Sequence, residues 1–138
     1  MLFLASCGSY YKLNNQFGVL EGAIVVDKGN QMSSENLNSV KKGINKEVYI
    51  YELTNVSSVE KVNSLYTSIK SKLVSRVKTN KKGEFKIKLN EGNYSILIKE
   101  NNGFYVAELD KYNNLHPVLI KTDGIVFVKI IINYETYY

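Results

Sequence analysis

Tryptophan is absent from this 138-residue chain, and histidine, cysteine and proline each occur once. A lone Cys cannot close an intramolecular disulfide, and one Cys with one His cannot supply the ligands of a His/Cys zinc site. His116, the only imidazole, would need a nucleophile or a water together with an orienting acid to act as a general base. Only Glu108 and Asp110 lie near it in sequence, with no spacing rule behind them. It reads as a loop histidine ahead of Pro117. Asp110, Asn113 and Asp123 fall in turn-rich segments but do not compose the alternating-oxygen loop of a calcium site. No catalytic residue, no metal ligand set and no cofactor is therefore expected, and most enzyme chemistries are excluded by inventory.

What remains is a globular composition, 44% hydrophobic and 22% charged, enriched in 11 Tyr and 5 Phe. The length suits one domain with a hydrophobic core. No stretch reaches the ~18 apolar residues of a membrane-spanning helix, because Lys129 interrupts the longest, residues 124–132. The net charge of +5 is unevenly placed. Nine basic residues lie within residues 61–88 against one acid, Glu84. That segment carries about +8 and the remainder about −3.

The first residues, Met1-Leu2-Phe3-Leu4-Ala5-Ser6-Cys7-Gly8, run from apolar to small, as an export signal does at its cleavage site. Leu4-Ala5-Ser6-Cys7 resembles the bacterial lipoprotein box. The resemblance implies a mature chain beginning at Cys7 and held on a membrane by a lipid on that thiol. Gly8, where an Asp would resemble an inner-membrane retention signal, favours the outer membrane of the bacterial cell envelope, on its periplasmic or surface side. Residues 8–16 are polar and read as a tether. Residues 1–16 are thus assigned to signal remnant, lipobox and tether, and residues 17–138 to the domain.

Strand patterns fill the domain. Val19, Ala23 and Val25 lie among β-formers, and Glu47-Val48-Tyr49-Ile50-Tyr51-Glu52-Leu53 is β-branched and aromatic. Residues 27–46 and 55–64 are polar loops. Leu65, Ile69 and Leu73 share a helical spacing, which predicts a short helix or irregular segment before a strand at residues 73–78. Phe85, Ile87 and Leu89 alternate with polar residues, Asn90-Glu91-Gly92-Asn93 turns the chain, and Tyr94, Ile96 and Ile98 alternate again. This predicts a β-hairpin with one buried face. Further strands follow after Asn101-Asn102-Gly103, at residues 117–120, and at residues 125–132. About seven short strands separated by turns predict an all-β, antiparallel sandwich.

Thr79-Asn80-Lys81-Lys82-Gly83-Glu84-Phe85, closing on Gly92-Asn93-Tyr94, resembles the carboxypeptidase regulatory-like domain, a transthyretin-like (prealbumin-like) sandwich. Glu91 stands where that family usually has Pro. The resemblance extends from Phe17 to Tyr134, and Asn114-Leu115-His116-Pro117-Val118 with the Tyr-rich end is similar to a subgroup of small bacterial lipoproteins. It implies no catalytic activity. The urate-pathway hydrolase of the same fold resembles a His/Arg cluster that this chain, with Arg76 as its single Arg, does not have.

If residues 80–84 close a hairpin, Lys78 faces Lys86 and Arg76 faces Lys88. With Lys81 and Lys82 they would form a basic patch for an anionic partner, a lipid surface or an acidic glycan, against the plainer reading of a solvated Lys-rich face. Tyr49, Tyr51, Tyr94 and Tyr105 are expected in packing, whereas Tyr134, Tyr137 and Tyr138 extend a strand or offer a surface. The expected function is a non-enzymatic, lipid-anchored binding or structural module of the envelope, with a glycan-binding module as the alternative. An envelope protein or glycan is the expected partner, and nucleic acid is not.

Overall fold

Residues 16–27 and 41–132 are described by the computed structural model of the chain. They form β1 (Phe17–Asp27), β2 (Lys41–Gly43), β3 (Glu47–Glu52), a 3-10 turn at Val56–Ser58, β4 (Glu60–Val62), β5 (Leu65–Thr67), β6 (Leu73–Lys78), β7 (Glu84–Asn90), β8 (Gly92–Glu100), β9 (Gly103–Tyr105), β10 (Pro117–Ile120) and β11 (Ile125–Ile132). Two sheets result. In the four-stranded sheet β1 is central, with β11 along one edge and β7 and β2 sharing the other. The seven-stranded sheet runs β4-β5-β9-β8-β3-β6, and β10 also pairs with β8.

The all-β sandwich expected from sequence is the observed architecture. One pair departs from the antiparallel expectation, since β11 runs parallel to β1 from Val19 beside Ile125 to Val26 beside Ile132. β11 is reached from β10 in the other sheet, so no hairpin dictates its direction.

The main core lies between the sheets. Leu20, Ile24, Phe85, Leu89, Ile130 and Ile132 from the smaller sheet meet Val48, Ile50, Tyr94, Ile96, Ile98 and Ile120 from the larger. A second cluster covers the outer face of the larger sheet. There Tyr51, Tyr66, Leu97 and Leu115 are buried, with Tyr49, Ile69, Phe104 and Val106 packed against them. Phe104 meets Tyr49 and Tyr51 edge-on, with ring centroids 5.1 and 6.0 Å apart. β8 is consequently buried on both faces from Tyr94 to Ile98, and Ser95 Oγ, fully enclosed, accepts the Thr54 N–H at 2.9 Å.

The hairpin expected from alternation at residues 85–98 does not form, nor does the one considered at residues 80–84. β6 pairs with β3 and β7 with β1, so the turn at residues 80–83 crosses between sheets. β8 pairs with β3, β9 and β10, so Glu91 is a second crossing. Phe85, Ile87 and Leu89 do face Tyr94, Ile96 and Ile98, but across the core instead of side by side. Alternation reports an inward face and is satisfied equally by either arrangement. Of the short helix or irregular segment expected near residues 65–72, Leu65–Thr67 is instead strand β5, and residues 68–72 are irregular. Asn63 and Ser64, both with positive φ, make a two-residue turn that sets Val62 beside Leu65. The turn contains no Gly, which removed the usual signal.

The Thr79 to Phe85 motif has a physical basis here. The Thr79 hydroxyl donates to the Ile44 carbonyl at 2.8 Å and accepts the Lys46 N–H at 2.7 Å, fastening the end of β6 to the entrance of β3. Gly83 passes against β1, where the Ile24 N–H donates to its carbonyl at 2.8 Å, and Phe85 opens the inward face of β7. Tyr94 donates its hydroxyl to the Asn90 carbonyl at 2.7 Å, which pins the second crossing.

Candidate functional site

The side chains with chemical potential are built into the scaffold. His116 is buried, with φ +23°; its N–H donates to the Glu108 carbonyl at 2.9 Å and its carbonyl accepts from Ile96. Its Nδ1 has no hydrogen-bond partner among the described residues. Burial pushes its pKa below the ordinary 6.5, only partly opposed by Glu108. Asp110 organises its own loop: Oδ1 accepts the Tyr112 and Asn114 N–H groups at 2.9 and 2.8 Å, and Oδ2 the Asn114 amide at 3.1 Å. Led by the Asn114 backbone bond, these interactions hold its carboxyl below 3.8. Among the described residues no three His, Cys, Asp or Glu side chains converge on a common point.

A two-step pH profile follows. The unfolded chain protonates at a His more readily than the folded one does, so stability present at neutral pH falls as pH drops through and below 6.5. Asp110 works in a lower window, contributing stability above 3.8 that is lost on further acidification. Thermal unfolding between roughly pH 7 and pH 5 is expected to show the first step, and His116→Gln to flatten it while leaving the acid limb intact. An unchanged slope in that variant would assign the step elsewhere.

Of the six residues proposed as one basic patch, four divide between the two sheets. Arg76 and Lys78 lie beside Tyr49 and Glu47 on the larger sheet, and Arg76 Nη1 donates to the Tyr49 hydroxyl at 3.1 Å. Lys86 and Lys88 lie beside Glu21 and Val19 on the smaller sheet. Lys81 and Lys82 occupy the crossing between them. The like-charge pairs expected from a hairpin are thereby replaced by Lys78 beside Glu47 and Lys86 beside Glu21, the favourable arrangement for cross-strand neighbours. Lys86 Nζ approaches Glu21 Oε2 to 3.6 Å, and the Lys88 ammonium lies 5.2 Å from the Phe17 ring centroid. Cys7, Tyr134, Tyr137 and Tyr138 lie outside the described residues.

The outer face of the smaller sheet presents an apolar surface. β1 turns Leu20 and Ile24 inward, which leaves Val19, Glu21, Ala23 and Val25 outward, and β11 adds Ile125, Phe127, Lys129 and Ile131 beside them. Ile125 and Phe127 are 68% and 61% exposed. Two hollows open there. One of ≈ 420 Å³ is lined by Glu21, Ala23, Glu84, Lys86 and Phe127 among others, and one of ≈ 600 Å³ by Phe17, Val19, Lys88, Asp123 and Ile125 among others. An apolar floor rimmed by Lys and Glu can bind by burial and charge. Sequence reasoning missed this face because residues 125–128 and 130–132 are apolar at both parities, so the strand carries no inside–outside signal.

No family model matches the chain, and no curated protein matches it. Among solved structures it is similar to the minor pilin of the Gram-positive pathogen Streptococcus agalactiae, at 20% identity and a TM-score of 0.43, over 86% of this chain and 44% of the pilin. It is also similar to the TIE protein of Bacillus anthracis, at 21% identity and a TM-score of 0.37, over 83% of this chain and 16% of that one. A leucine-rich repeat protein from Bacteroides thetaiotaomicron aligns at 12% identity and a TM-score of 0.34, over 85% of this chain and 12% of its own. The chain spans less than half the length of each of these three proteins.

Proposed function

We propose that the chain is a non-enzymatic module of the bacterial cell envelope, a binding or structural domain of the carboxypeptidase regulatory-like kind, carried on the outer membrane by a lipid at Cys7. The observation that carries the non-enzymatic reading is the use of His116 and Asp110 in the scaffold, while the surface left to solvent is apolar and Lys-rich. Such a surface suits contact with another envelope component. The anchor rests on Leu4-Ala5-Ser6-Cys7. In cells, Cys7→Ser is expected to move the protein from the membrane to the soluble fraction and to abolish labelling by a fatty-acid analogue. Retention of either property in that variant would refute the anchor.

The alternative is a glycan-binding surface. Tyr112, 67% exposed, with the Lys111 ammonium 5.2 Å from its ring centroid, is the feature that favours it. A glycan array probed with the wild type and Tyr112→Ala separates the two readings.

A further inference from the structure

We infer that β11 pairs with β11 of a second copy of this chain, antiparallel about a two-fold axis, joining two four-stranded sheets into one. The inference does not depend on the lipid anchor. Its starting point is the comparison of sheet edges. β2 and β4 have three residues each, and β10 has four and begins at Pro117. β6 carries Arg76 and Lys78 and slips register against β3, and β7 carries Glu84, Lys86 and Lys88. Short length, proline, irregularity and charge are the devices that keep an edge from pairing. β11 has eight residues, one charge at Lys129, and no strand along its far edge among the described residues.

Its backbone is presented correctly for pairing. The Gly124 carbonyl accepts the Val19 N–H at 2.9 Å, so the even-numbered groups of β11 address β1. Those of Ile125, Phe127, Lys129 and Ile131 then address the far edge. The Ile131 carbonyl agrees, since it accepts the Tyr105 hydroxyl at 3.0 Å from outside the sheet; its second lone pair is left for another donor.

The strand is also complementary to itself. Centred on Val128, the antiparallel register sets Ile125 opposite the second copy's Ile131, and Phe127 opposite its Lys129. No like charges meet, and each ammonium can rest against a ring. On the inner side, Val126 and Val128 are only half-buried although they pack against the main core. Among the described residues the core is therefore open at this edge, and a second β11 closes it while covering Ile125 and Phe127 outside.

The test uses the full chain carrying Cys7→Ser, which cannot be acylated. Sedimentation across micromolar to millimolar concentrations is expected to show a monomer–dimer equilibrium. Phe127→Pro removes an N–H that β1 does not use and is expected to weaken the dimer by about tenfold or more, with circular dichroism confirming the fold. Hydrogen exchange provides a second measurement: the amides of Ile125, Phe127 and Lys129 should gain protection as concentration rises. A chain monomeric throughout overturns the inference, and so does a dimer untouched by Phe127→Pro in a folded variant. Protection of those amides in the monomer overturns it too, because the edge would then be covered by the chain's own residues. If Phe127→Pro fails to fold, the exchange of the three wild-type amides decides.

Discussion

Replacing Lys46 by Met is expected to lower the free energy of unfolding by about 3–5 kcal/mol, measured by urea denaturation. Lys46 Nζ lies 2.8 Å from Glu100 Oε1, and the two side chains are 19% and 6% exposed. Oε2 of the same carboxylate is buried without a hydrogen-bond partner among the described residues. Removing the ammonium would thus leave an enclosed charge with its main counterion gone, which costs far more than the modest worth of an exposed ion pair. Methionine keeps the apolar stem and its packing, so the loss reports on charge and not on a cavity. The position matters because the pair ties the entrance of β3 to the end of β8, next to the register point where Val48 sits beside Ile98. The double variant Lys46→Met with Glu100→Gln should recover most of the loss by removing both charges. A single-variant loss below about 1 kcal/mol would show that the pair behaves as a surface contact.

The second large effect is expected at Gly83. With φ at +79°, a Cβ there would lie 2.1 Å from the Ile24 carbonyl oxygen, 3.0 Å from the Ile44 nitrogen and 3.1 Å from Gly43 Cα. All three are backbone atoms of neighbouring segments, so no side chain can swing away. Gly83→Ala is expected to cost roughly 3 kcal/mol or more, combining about 1–2 kcal/mol for the left-handed backbone with about 1–3 kcal/mol for overpacking. Thermal or chemical denaturation checks it, with the exposed Lys82→Ala in the same turn expected within about 0.5 kcal/mol of wild type. A small loss at Gly83 would mean that the crossing can shift away from β1. Gly83 therefore does more than permit a turn: it lets the chain change sheets while staying hydrogen-bonded to β1.

Several elements were legible from the residues. Strands at residues 73–78, 117–120 and 125–132 appear with the expected bounds, because each lies between polar or turn-forming stretches. The turn at Asn101-Asn102 does close a hairpin, with Glu100 beside Gly103. Tyr49, Tyr51, Tyr94 and Tyr105 are packed as expected. The neighbours of the lysines were not legible: Lys78 does not face Lys86, nor Arg76 Lys88, because β6 and β7 join different sheets. Leu97 and Ser95 were expected on a polar face and instead lie under a second layer, contributed by segments whose local pattern is that of loops. At Leu65–Thr67 a spacing of four left a short helix or an irregular segment as the expectation, and the strand there carries no pattern of its own.

By itself the sequence determined that the chain is all-β, where most strands begin and end, and which side of each amphipathic strand faces inward. These are properties of composition and of period-two alternation, which act within a few residues. Only the tertiary structure decided which strands pair and which face each other across the core, that β1 and β11 run parallel, that His116 is buried, and that β11 has no second neighbouring strand among the described residues. Those outcomes depend on contacts between distant segments, and the inward face of a strand is buried equally well beside a neighbour or opposite one. The same ambiguity governs the exposed surface: lysines close in sequence part to different sheets, while Glu21 and Phe127, far apart in sequence, come to line one hollow.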